Sequence, residues 1–180
     1  MEKRIRTAQV LWAGLFVSTF VLVATVFVLK QPPQPAPPVM LPAVAGVALV
    51  MAMAAIILPP QMLKKALAAQ LSPLIVERPN PAAEVTFREA APPLKAFDDP
   101  AVAETKAIVA YQQPLILSLS LPESVAIFGV LVVAQGFPRP AAVPFFVACW
   151  ILQIARFPTA AKLAAAVKSA TGVDLPLETN

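Results

Sequence analysis

Apolar residues run along this chain in long blocks, and the charged residues fall between the blocks. Residues 8–29, AQVLWAGLFVSTFVLVATVFVL, hold no charge. A hydrocarbon core of about 30 Å needs roughly 20 apolar residues in a helix, so this stretch predicts a first membrane span. Lys3, Arg4 and Arg6 precede it, as they would a secretory leader. A leader's apolar region is only about 7–15 residues, however, and ends at an A-x-A-like site, so an uncleaved anchor is expected. QPPQPAPP follows. Prolines at that density cannot continue a helix, which predicts a short extended loop.

Residues 39–58 form the second predicted span, with Pro59-Pro60 as its exit. Ala45, Ala48, Ala52 and Ala55 recur at helical spacing and give it one face of small residues, on which another helix can approach closely. Residues 61–71, QMLKKALAAQL, read as a short interfacial helix whose Lys64 and Lys65 reach lipid head groups. Six prolines and half of the acids then occupy residues 72–100. That composition predicts a water-exposed loop, with a short extended piece at Glu84–Arg88. From residue 107 to residue 135 there is no Lys or Arg. A helix of that length exceeds the bilayer core, and the third span is placed at 112–135.

Gly136 followed by Pro138 and Pro140 predicts a tight stop and restart. The fourth span, 140–156, is short, with Arg139 and Arg156 able to snorkel at its ends. Thr159 then reads as the N-cap of an amphipathic tail helix, 159–171, carrying Lys162 and Lys168. A frayed segment is expected after Gly172. The predicted fold is all-α: one integral membrane domain over residues 1–180, a four-helix transmembrane bundle of two helical hairpins. Short interfacial helices and a Pro-rich loop, 59–106, complete it.

Composition agrees and removes several functions. Hydrophobic residues make up 58% of the chain and charged residues 13%, against roughly 45–50% and about 25% in soluble domains. There is no histidine, and Cys149 is the one cysteine. Histidine-ligated metals, cysteine clusters and Ser-His or Cys-His catalytic pairs are thereby excluded. No Gly-rich phosphate loop is present. No catalytic residue, metal site or cofactor is expected. The loop acids (Glu77, Glu84, Glu89, Asp98, Asp99 and Glu104) alternate with bases and prolines and read as solvation.

The cations are distributed unevenly. Three lie in the N-terminal segment, six in the central loop and three after the fourth span, while only Lys30 and Arg139 fall in the other two connections. The positive-inside rule places both termini and the central loop in the cytoplasm. The net charge of +4 then reflects orientation and anionic lipid, with no nucleic acid involved. Arg156 and Lys162, like Lys64 and Lys65, are expected at head groups. The expected location is a bacterial inner (plasma) membrane.

Glu123 is the one acid inside a predicted span. An ionisable residue at that depth is a functional hypothesis by default. Its carboxyl group can donate a hydrogen bond or exchange a proton or cation. Pro122 leaves the Ser118 carbonyl without its helical donor, and Ser120 lies one turn before the acid. Together Glu123, Ser120, Ser118 and Pro122 form a candidate ion, proton or helix-packing site. As a packing group, a polar side chain in lipid is worth about 0.6–2 kcal/mol.

The stretch Leu119–Val133, LSLPESVAIFGVLVV, resembles the carboxylate helix of rotary ATPase proteolipid (c) subunits. On that resemblance, Glu123 matches the proton- or sodium-binding acid. The chain departs from the pattern elsewhere: span one has the single glycine Gly14 in place of a Gly repeat, and a long Pro-rich loop replaces the short polar one. The layout as a whole is similar to small uncharacterised bacterial four-span membrane proteins. The matching pieces are Leu119–Gly129 and Arg156-Phe157-Pro158-Thr159. That resemblance implies the topology and marks Glu123, but it supplies no activity.

The expected function is that of a non-enzymatic accessory, scaffold or assembly subunit. Its partners would be the bilayer and other membrane subunits, or a second copy through the alanine face. The alternative is a small proton- or ion-coupled channel or transporter using Glu123. Such sites gather several polar groups at the midplane, which an oligomer can supply by symmetry.

Overall fold

A computed structural model of the chain describes residues 2–30, 37–79 and 93–175, without the side chains of residues 2–4. Helix makes up 81% of it, so the fold is all-α apart from one small sheet. The elements are α1 (Glu2–Val28), α2 (Met40–Leu71), β1 (Ile75–Arg78), β2 (Leu94–Phe97), α3 (Pro100–Ala134), α4 (Val143–Ala155) and α5 (Ala160–Thr171). Single 3₁₀ turns precede β1 and α4. The three helices α1, α2 and α3 are each long and apolar enough to cross a membrane. A fourth crossing exists if α4, its preceding turn and α5, which meet at a 74° bend, are counted as one.

The central element is α3. It packs on α1, α2 and α4, whereas α1 and α2 share no extended contact. The first expected hairpin is therefore not a packed pair. The reason lies in the faces of α3, whose residues 125–134 are apolar all round. Ala126 and Val133 meet Val26 of α1 with Phe146 and Cys149 of α4. Val125 and Val132, rotated by about 100°, meet Ala48 of α2 and Phe145.

Two helices are longer than a bilayer core is thick. At about 1.5 Å per residue, α2 is about 48 Å long and α3 about 52 Å, against a core of about 30 Å. Their excess turns project together at the end where α2 stops and α3 starts. There Leu67 and Leu71 of α2, Ala103, Ala107 and Ala110 of α3, and Leu163 and Val167 of α5 form a separate core. Phe97 closes it from the antiparallel β1–β2 pair, in register Ile75↔Phe97 to Arg78↔Leu94. This end is thus a packed unit where the sequence predicts an open loop. The extended piece at Glu84–Arg88 lies outside the described residues. Val173 and Leu175 are buried in the same core, so the chain just past Gly172 is docked and not frayed; residues 176–180 lie outside the described set.

Helix ends follow their caps. Asp99 accepts hydrogen bonds from the backbone N–H groups of Ala101 (2.8 Å) and Val102 (3.1 Å) at the start of α3. Thr159 accepts from Lys162 N–H at the start of α5 (3.2 Å). Gly136, at φ 92°, ends α3, with Gly136 N–H donating to Val133 O and Phe137 N–H to Val132 O. These are the paired bonds of a Schellman stop.

Candidate functional site

Midway along the bundle, the polar side chains of α1, α3 and α4 meet one another. Ser18 of α1 donates from Oγ to Glu123 Oε1 of α3 at 2.5 Å, and also lies 2.7 Å from the Leu15 carbonyl. Glu123 is half-buried. The next residue, Thr19, is completely buried and points to α4: its Oγ1 donates to Gln153 Oε1 at 3.3 Å and lies 3.9 Å from Cys149 Sγ. Adjacent hydroxyls on α1 thus address two different helices, as a rotation of about 100° per residue requires.

Gln153 is likewise completely buried. Among the described residues, its Nε2 has no hydrogen-bond partner, and neither has the buried Trp150 Nε1. Turning the amide around changes nothing in the count, since one of its atoms faces Thr19 and the other has no partner. The Gln153 backbone carbonyl accepts from Trp12 Nε1 at 2.8 Å, and Gln9 Nε2 donates to the Pro158 carbonyl at 3.3 Å. α1 therefore supplies donors to the carbonyls at and just beyond the end of α4, where the Gln153 carbonyl also accepts from Arg156 N–H at 3.1 Å.

The predicted site residues are divided by this arrangement. Ser118 is buried and donates to Leu115 O at 2.7 Å. It lines a cavity toward α2, away from Glu123. Ser120 bonds within its own helix, to Leu117 O at 3.4 Å. Pro122 is fully buried. Neither serine is bonded to the acid; the partner is Ser18. Ser18 and Thr19 are not among the predicted site residues; they are the two adjacent hydroxyls of a charge-free stretch, and that pairing is the signal the sequence offers for them. Of the alanine face, Ala48 and Ala55 are buried against the bundle, Ala52 is half-buried and Ala45 is exposed.

A second polar junction lies at the α4–α5 bend. α2 continues as helix through Pro59-Pro60, where the sequence predicts an exit. A proline cannot donate to the carbonyl four residues earlier, so the Ala55 and Ile56 carbonyls lose their helical donors. Arg156 Nη2 donates to both, at 3.3 Å and 3.1 Å. Lys162 Nζ donates to Ala155 O and Phe157 O, each at 3.0 Å. At the other end, Arg139 Nη2 donates to Phe27 O at 3.1 Å. Lys64 and Lys65 are exposed.

Chemically, the midplane cluster offers one carboxyl, two hydroxyls, a thiol and an amide. Such a set can exchange hydrogen bonds between helices or hold a proton. Among the described residues, no three His, Cys, Asp or Glu side chains converge as metal ligands. Comparison with protein-family models, with curated proteins and with solved structures finds no match.

Proposed function

We propose that the chain is a multi-pass protein of a bacterial inner (plasma) membrane that serves as a non-enzymatic accessory, scaffold or assembly subunit. The Ser18–Glu123 hydrogen bond carries this reading. The one acid in a predicted span is engaged with a neighbouring helix, so it acts as interhelical glue. In this reading α4 with its preceding turn is the fourth crossing, and the projecting end is cytoplasmic with both terminal segments. The separation of charges supports that orientation. Ile5 lines a small cavity with Ile108 and Leu163, which puts the start of α1 at the projecting end. Arg139 reaches the opposite end of α1.

A second reading, ion or proton handling, rests on the unpartnered amide of the buried Gln153, which bonds Thr19, the residue next to the acid's partner Ser18. The two separate in one experiment on liposomes containing wild type, S18A, E123Q or E123L. Glue predicts no proton flux above empty liposomes. It also predicts near-normal stability for E123Q, whose amide oxygen still accepts from Ser18. S18A and E123L should each lose stability, with a coupling between them of about 0.6–2 kcal/mol. A wild-type flux that vanishes in E123Q at unchanged stability would replace glue by ion handling.

A further inference from the structure

We propose that the notch between α2, α3 and the α4–α5 bend binds the phosphate of one anionic phospholipid through Arg156 and Lys162. The notch is a cavity of about 240 Å³, lined among others by Pro59, Pro60, Tyr111, Ser118, Arg156 and Lys162. No acid lines it. Neither cation has an ion-pair partner among the described residues, whereas Lys168 is paired with Asp174 at 3.0 Å. The carbonyls that hold Arg156 and Lys162 are neutral, so two positive charges remain uncompensated beside an apolar wall.

Donor counting shows what is left for a ligand. A guanidinium has five N–H donors and an ammonium three. Arg156 bonds through Nη2 alone, which leaves Nε and Nη1. Lys162 directs Nζ at two carbonyls, which leaves one N–H. The Tyr111 hydroxyl has no hydrogen bond to a described residue. The free edge of a guanidinium matches two phosphate oxygens. Both cations are already held by backbone carbonyls, so binding costs little further side-chain ordering.

Position selects a lipid over soluble phosphate. The second predicted span ends at Leu58 and the charge-free stretch of α4 at Ala155, and Arg156 bonds carbonyls at Ala55 and Ile56, about one turn inside that limit. The cavity therefore opens at the level of the head groups. Leu63, Pro114 and Leu115 also line it and suit the glycerol and first methylenes. The inference rests on the membrane-spanning reading but not on the fate of Glu123.

The test is retention of lipid by the full chain in mild detergent, read by native mass spectrometry after titration with phosphatidylglycerol, phosphatidylcholine or inorganic phosphate. One tight phosphatidylglycerol is expected per chain, with phosphatidylcholine and inorganic phosphate at least tenfold weaker. K162Q should weaken phosphatidylglycerol about tenfold, as loss of one charge-assisted contact implies, and K162R should restore it. R156Q also removes the donors of the α2 carbonyls. It is therefore tested in a P59A/P60A background, where α2 supplies its own donors, and there binding should be lost. The double variant K64Q/K65Q, altering exposed lysines outside the notch, should leave it within about twofold of wild type. Three results would overturn the proposal: equal retention of both lipids, equal loss in K64Q/K65Q and K162Q, or inorganic phosphate binding as tightly as the lipid.

Discussion

Gly129 sets how closely α3 and α4 approach. A Cβ at that position would stand 3.1 Å from Phe145 Cβ and 3.3 Å from the Ala142 carbonyl oxygen. Neither contact is the far end of a flexible side chain, so relief requires the start of α4 to move. Overpacking of this kind costs about 1–3 kcal/mol. G129A should therefore lower the unfolding free energy in detergent by an amount in that range, and G129L by more. G46A is the matched control, because a Cβ there meets nothing within 4 Å and alanine is the better helix former; it should cost nothing. Equal losses in G129A and G46A would show that the α3–α4 approach is not what Gly129 provides. The site shows a similar dependence on single atoms. Ser18 differs from Ala by one hydroxyl, and that hydroxyl is the link between α1 and Glu123.

At the scale of elements, the Pro59-Pro60 step is the informative case. Two consecutive prolines inside a helix each cost about 3 kcal/mol or more, yet α2 runs on to Leu71. Arg156 compensates by donating to the two carbonyls concerned. R156M should open α2 there, seen as faster amide exchange at residues 61–64, whose N–H groups lie just past the break. In P59A/P60A the carbonyls regain their own N–H donors, so adding R156M should change exchange little. If R156M acts equally in both backgrounds, its role is not to satisfy these carbonyls. The same step explains what sequence can reveal. The charge-free stretches, the Gly136 stop and the Thr159 cap depend on neighbours in the chain and were legible. The continuation of α2 depends on a side chain 100 and 101 positions away, and the Ser18–Glu123 bond spans 105 positions. Periodicity carries no information at that range. The β1–β2 pair was illegible for a related reason, since each strand has only four residues and is held by burying Phe97 against α2, α3 and α5.

For the whole molecule, the proposed topology follows from where the helices end. α3 leads from the projecting core to the Gly136 stop, and α4 turns back there. Arg156, just past α4, touches α2 one turn before Pro59. The chain from Arg139 to Ala155 thus returns most of the way in about 25 Å, less than the core thickness of about 30 Å. Arg139 and Arg156 at its two ends can make up the difference by snorkelling. α5 then bends by 74° and packs on the projecting core. Single cysteines at Lys30, Lys106 and the exposed Ser169 can read this out once the buried Cys149 is replaced by Ala. A membrane-impermeant maleimide applied to spheroplasts should label K30C directly, and K106C and S169C only after lysis. Labelling of S169C together with K30C would mean that the bent pair does not cross. The reverse pattern at K30C and K106C would invert the orientation and leave the fold as described. The charge distribution makes inversion the less stable arrangement, since it would place twelve cations on the outer face and two on the inner one, against the attraction of the anionic inner leaflet.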